Sequence, residues 1–189
     1  MNRIIPIILS AGESKRMGHP KILTTISGMS FGDRIIKTLN NCGFKKIILV
    51  LGYKHEKISP YFIGKDGIDI IINNNYINGP LSSLKCAMKT LEKNMPLLLF
   101  PVDHPMVSDR TINSMIKAYS DNPDSIIIPT YEGKKGHPVI FGEAFFKELL
   151  NAPLNIGARF VVRNNREKII LVNVDDIGIL RNINSPKDF

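Results

Sequence analysis

Four short polar segments interrupt the apolar patterning of this chain, and their residue types suit phosphate or metal chemistry. The first is Ser10-Ala11-Gly12-Glu13-Ser14-Lys15-Arg16-Met17-Gly18-His19-Pro20-Lys21. Small residues let backbone N–H groups approach a phosphate, and Lys15, Arg16 and Lys21 bring charge that neutralises it. The spacing is neither G-x-G-x-x-G nor G-x-x-x-x-G-K-[ST], so it supports neither Rossmann dinucleotide binding nor P-loop chemistry. By composition alone a solvated basic loop remains open. The second segment is Asp103-His104-Pro105. Its carboxylate suits Mg²⁺, which takes a few hard oxygens and shares the rest of its shell with water and substrate phosphates. A plain turn cap ahead of Pro105 uses the same residues. His104 reads as a turn-facing or partly buried histidine.

The third segment, Asn78-Gly79-Pro80-Leu81-Ser82-Ser83, precedes and enters a helical pattern. Free N–H groups and the hydroxyls of Ser82 and Ser83 at a helix start make an anion or nucleotide site, or else an ordinary N-cap. The fourth, Gly136-His137-Pro138, offers His137 either to an acceptor phosphate or to a satisfied turn. Cys42 and Cys86 lie far apart in no CxxC pair, which signals neither a zinc site nor a disulfide scaffold and leaves reduced thiols in a reducing cytosol.

These segments need a frame. Apolar runs of strand length at 4–9, 46–51, 68–72, 96–100, 125–129 and 168–174 alternate with amphipathic stretches at 31–41, 81–92, 108–119, 143–150 and 158–163. That alternation predicts an α/β fold, three layers with a mostly parallel, Rossmann-like sheet between helices. Strands rich in Ile, Leu and Val suit burial on both faces. Ser108 is placed to cap the helix it precedes, and Gly43 stands where a left-handed residue ends one. In such a sheet ligands bind beyond the carboxyl ends of the strands, which is where the first two polar segments fall.

The 189 residues suffice for one substantial core, so residues 1–189 are read as a single domain. With 43% hydrophobic and 22% charged residues the composition is that of a packed globular chain. The net charge of +8 favours anionic partners. The basic residues are scattered rather than run together or interleaved with aromatics, which argues against nucleic acid. No apolar stretch approaches the ~18 residues of a membrane span. The run after Arg3 is short and broken by Pro6, which argues against a secretory signal; the chain is expected to be cytoplasmic.

Leu9 through Lys21 resembles the L-x-A-G-x-S-x-R-M-G-x-x-K signature of the MobA-like nucleotidyltransferases, which include the molybdenum cofactor cytidylyl- and guanylyltransferases. The resemblance extends to Asp103 in a D-x-P turn, to Gly79-Pro80-Leu81-Ser82-Ser83-Leu84, to Gly136-His137-Pro138 and to Gly157-Ala158-Arg159. It implies a fold of the nucleotide-diphospho-sugar transferase type and Mg²⁺-dependent transfer of a nucleoside monophosphate from a nucleoside triphosphate to a small phosphorylated acceptor. By the resemblance Ser10, Ala11 and Gly12 hold base and phosphates. Arg16 and Lys21 bind the triphosphate, and Asn78, Gly79, Ser82 and Ser83 contact the nucleotide. Asp103 binds the metal, and His137 faces the acceptor. Ser10-Ala11-Gly12 is closer to the A-A-G form of the cytidylyltransferases than to the A-G-G form of the guanylyltransferases, which implies CTP; molybdopterin is the leading acceptor by the resemblance alone, with sugar phosphates and other phosphorylated alcohols open.

The chain departs from the family at two places. Asn155-Ile156 precede Gly157 where Gly-Asp is common. The segment from Leu180 to Phe189 is similar to a terminal D-I-D-T-P-E-D-Y pattern, but Asn182 and Asn184 replace both leading aspartates. Related sugar nucleotidyltransferases use Asn as a second metal ligand, so Asn182 is the second candidate ligand. It carries no charge, and Asp175 or Asp176 is the nearest source of compensation.

Overall fold

A run such as Ile5–Ser10 can bury both faces only between two layers of helix, and the computed structural model, which describes residues 3–188, places it at the centre of one sheet. In chain order the elements are β1 (Ile5–Ser10), β2 (Thr25–Ile26), β3 (Met29–Ser30), α1 (Phe31–Asn41), β4 (Ile47–Leu51), α2 (His55–Ile58), β5 (Ile68–Ile72) and α3 (Pro80–Met88). Then follow β6 (Leu97–Pro101), α4 (Asp109–Asp121), β7 (Ile126–Tyr131), β8 (Lys134–Lys135), β9 (Val139–Phe141), α5 (Phe146–Asn151), α6 (Arg159–Asn164) and β10 (Ile169–Asn173). Across the sheet the order is β10-β7-β9-β6-β1-β4-β5. All neighbours on that path run parallel except β9, which is antiparallel to β6 and to β7.

Alternate residues of the strands feed two cores. Ile8 of β1 and Leu49 of β4 pack with Phe31, Ile35 and Leu39 of α1 and with Ile112 and Met115 of α4. Ile7 and Ile48 point the other way, onto Leu81, Leu84 and Met88 of α3, Phe146 and Leu149 of α5 and Val161 of α6. The period-2 alternation of a strand thus builds the three layers expected.

The helix ends follow local chemistry. Ser30 Oγ accepts from Asp33 N at 3.0 Å and donates to Asp33 Oδ2 at 2.7 Å, which fixes the start of α1. Beyond its end Gly43 takes φ +84°, a conformation that costs a residue with a Cβ. Ser108 Oγ caps α4 by accepting from Thr111 N at 3.3 Å. The helix expected over 81–92 stops at Met88, because the chain closes into turns in which Thr90 Oγ1 donates to Ala87 O at 2.8 Å. The stretch 143–150 opens with a 3₁₀ turn before α5. Both cysteines are free. Burial pushes the Cys42 thiol up to about 11, the nearby Asp109 adding to the shift.

Candidate active site

From β1 the chain passes to β4 and β5 on one side and then crosses to β6 on the other. The loops leaving β1 and β6 therefore part in opposite directions, and a crevice opens between them at the carboxyl edge of the sheet. It has a volume of about 790 Å³. Leu9 and Pro101 lie side by side at the ends of the paired strands, and Ser10 and Asp103 just beyond them both line the crevice.

The loop after β1 is held by its apolar residues so that its polar ones face the crevice. Met17 and Ile22 are buried, and Ser14 Oγ accepts from Lys21 N at 3.2 Å. Ser14 at φ 54° and Gly18 at φ 76° make the turns that bring Arg16 and Lys21 to the wall. Ala11 is fixed from behind, where Tyr53 N donates to Ala11 O at 3.0 Å. A Cβ on Gly52 would stand 2.7 Å from that same oxygen, so only glycine allows this approach. Gly12 lines the crevice, and a Cβ on it would meet nothing within 4 Å.

Lys21 Nζ lies 3.5 Å from Asp103 Oδ2 and donates to Asn184 Oδ1. Asn184 Nδ2 in turn donates to Asn182 Oδ1. The other carboxylate oxygen of Asp103 is 3.0 Å from His104 Nδ1. Burial lowers the pKa of Lys21, with the charge of Asp103 opposing. Burial pushes Asp103 up, but its hydrogen bond to His104 and the charges of His104 and Lys21 outweigh this and hold the carboxyl below its usual value. Ile183 N donates to Asp103 O at 2.8 Å, and this tether delivers both asparagines to the crevice.

His104 is buried, and its ring meets that of His137 edge-on at 4.9 Å between centroids. His137 Nδ1 is buried with no hydrogen-bond partner among the described residues, and burial, helped by His104 against Asp103, brings the pKa of the ring down to about 4. At neutral pH His137 is therefore a neutral imidazole, able to hydrogen-bond an acceptor but not to attract it by charge. Gly136 before it lies against Ile179, where a Cβ would fall 2.5 Å from the carbonyl oxygen.

Of the sequence-predicted residues, Ser10, Ala11, Gly12, Arg16, Lys21, Gly79, Ser83, Asp103, His137 and Asn182 line this one crevice. Asn78 and Ser82 do not. Asn78 is exposed on the 3₁₀ turn before α3, and the Ser82 hydroxyl is spent on that turn, donating to Gly79 O at 2.8 Å. Asp176 does not supply the missing charge either. Its oxygens accept from Ser108 N, Thr111 Oγ1 and Gly178 N at 2.8, 2.6 and 2.8 Å, and both it and Asp175 line a separate groove beside α4. Phe189 lies outside the described residues. Sequence reasoning missed Tyr76 and the wall formed by Leu154, Asn155 and Ile156, and it took Asn184 only as a lost aspartate rather than as the partner of Lys21.

Among the described residues no group of three or more His, Cys, Asp or Glu side chains is arranged to hold a metal ion. What the crevice offers a cation is one carboxylate and two amide oxygens. That hard, sparse set fits an ion held largely by substrate phosphates and water.

A crevice at the switch point of a Rossmann-like sheet, lined by a small-residue loop, the cations Lys15, Arg16, Lys21 and Arg159 and the carboxylate of Asp103, marks a nucleotide-handling transferase. The chain belongs to the MobA-like NTP transferase family, whose model matches residues 6–169, and is thus a nucleotidyltransferase. It is 28% identical over 195 residues to the molybdenum cofactor cytidylyltransferase of Escherichia coli (strain K12), covering 100% of this chain and 95% of that protein. It is 26% identical over 137 residues to a probable molybdenum cofactor guanylyltransferase of Bacillus cytotoxicus, covering 71% of this chain and 66% of the other. The crystal structure of Rv0371c from Mycobacterium tuberculosis superposes with a TM-score of 0.83 at 21% identity, covering 98% of this chain and 95% of that one, and the same mycobacterial protein has been crystallised with manganese. Among the described residues no helix is long and apolar enough to cross a membrane.

Proposed function

We propose that this protein transfers CMP from CTP to a small phosphorylated acceptor, molybdopterin, with release of pyrophosphate. The observation that carries the reading is the meeting of Lys21 and Asp103 at 3.5 Å across the switch-point crevice. It sets a cation for phosphate beside a carboxylate for a metal. The preference for CTP is supported by Ser10-Ala11-Gly12 and by the full-length likeness to the cytidylyltransferase of E. coli.

In the reaction an acceptor phosphate oxygen attacks the α-phosphorus, a bond forms between them, and the bond from that phosphorus to the β-bridging oxygen breaks as pyrophosphate departs. A phosphate nucleophile is already ionised at neutral pH, so no general base is needed. The work left to the protein is alignment and charge neutralisation. Backbone around Ala11 and Gly12 lets the phosphates approach closely, Arg16 and Lys21 face the charge they carry, and neutral His137 hydrogen-bonds the acceptor. Asp103 and Asn182 would hold Mg²⁺, which when bound offsets the negative charge of the triphosphate.

The test is to incubate the protein with each of the four common nucleoside triphosphates, Mg²⁺ and molybdopterin or other phosphorylated acceptors, and to follow pyrophosphate. CTP- and acceptor-dependent release is expected. GTP-dependent release transfers the reading to a guanylyltransferase. The amides at Asn182 and Asn184 favour a second reading, a nucleotide-binding protein with weakened transfer, and tight binding without pyrophosphate release selects it.

A further inference from the structure

Asn73 is buried one residue past the end of β5, and its amide is fully committed. Its Oδ1 accepts from Asn75 N at 3.0 Å. A backbone N–H can only donate, so the oxygen of the amide must face it and the NH₂ group must face the other way. There Nδ2 donates to Ser82 Oγ and to Ser83 Oγ, each at 2.9 Å. The two serines then part company. Ser82 passes its own proton to Gly79 O. Ser83 is 3% exposed, lines the crevice beside Tyr76 and Gly79, and among the described residues nothing accepts its proton.

We propose that Asn73 is a positioning residue that makes Ser83 a hydrogen-bond donor toward the bound base, so that the site selects bases presenting a carbonyl oxygen over adenine. The proposal rests on the nucleotidyltransferase reading of the crevice. With one lone pair engaged by Asn73 Nδ2 and, among the described residues, no acceptor for its proton, Ser83 has a proton to give. A base edge carrying an oxo group receives it. An amino group turned to the same place offers no acceptor and leaves the buried serine proton unsatisfied, a mismatch worth roughly tenfold or more in affinity.

Dissociation constants of the whole chain for CTP, UTP, GTP, ATP and inorganic tripolyphosphate, measured by calorimetry, test this. In the wild type, ATP should bind about tenfold or more weakly than the best oxo-bearing nucleotide. Asn73→Asp keeps the shape but turns a donor into an acceptor, so Ser83 gives its proton to the new carboxylate and shows its lone pair to the crevice. The ratio should fall to about one or invert. Ser83→Ala should also flatten the ratio, and adding Asn73→Asp to it should change nothing further. If both single variants weaken every nucleotide in proportion and leave the ratio intact, Asn73 is only structural and the proposal is overturned. Should Asn73→Asp fail to fold, the ratio in Ser83→Ala decides alone, flattening in support and constancy against. Failure of tripolyphosphate to bind the wild type would overturn the reading of the crevice itself, and the proposal with it.

Discussion

The ammonium of Lys21 and the carboxylate of Asp103 stand 3.5 Å apart, the first from the loop after β1 and the second from the end of β6. Both side chains are largely shielded, at 13% and 21% exposure, so water screens them little: the ammonium attracts an entering phosphate, and the carboxylate attracts the cation that accompanies it. Lys21→Ala or Asp103→Ala is therefore expected to lower turnover by at least ~10²-fold, the scale of removing one preorganised electrostatic group. Pyrophosphate release under saturating nucleotide measures it, and variants that turn over like the wild type would remove both residues from the reaction.

Asp176 gives the opposite expectation. Two of its hydrogen bonds go to Ser108 N and Thr111 Oγ1 at the start of α4, the third to Gly178 N. Asp176→Ala should cost ~1–2 kcal/mol of stability, the range for losing a helix cap, while turnover stays at the wild-type level below the melting temperature. A large loss of turnover with little change in melting would show that its carboxylate reaches the reaction after all.

How far such assignments could be read beforehand depended on the range of the interaction. The loop from Ser10 to Lys21 and the turn at Asp103 were legible because small residues, cations and a carboxylate follow apolar runs within a few positions. The strands and the two long helices α1 and α4 were legible from periodicity. β9 was not, since three buried residues show no period, and its antiparallel insertion between β6 and β7 is a matter of tertiary pairing. Nor was the bond from Lys21 to Asn184, whose partners are 163 positions apart and meet only because Ile183 is tied to Asp103.

The buried ring of His137 makes stability depend on acidity. Its folded pKa of about 4 lies below the 6.5 of a free imidazole, so the unfolded chain takes up its proton first as pH falls. The contribution is whole above pH 6.5 and is lost as pH drops toward 4, by up to ~3 kcal/mol. Denaturant unfolding across that window should reveal the loss, and His137→Gln should flatten it. An unchanged slope in the variant would place the protonation elsewhere.

Gly12 and Gly52 separate the demands of ligand from those of fold. A Cβ on Gly52 would press 2.7 Å from both Ala11 O and Tyr76 Cβ, two rigid neighbours, so Gly52→Ala should destabilise the chain by ~1–3 kcal/mol through overpacking. A Cβ on Gly12 would meet nothing within 4 Å, and its backbone is not in the left-handed region, so Gly12→Ala should leave the melting temperature near the wild-type value. Gly12 nevertheless lines the crevice where the proposed phosphates approach the backbone, so a methyl there would compete with them for space. Nucleotide affinity should fall by about tenfold or more for a close contact turned into a clash, read by calorimetry with CTP and with tripolyphosphate. A Gly12→Ala protein that binds both ligands as the wild type does would mean that the open space beside Gly12 is solvent, and the triphosphate would have to lie elsewhere along the crevice.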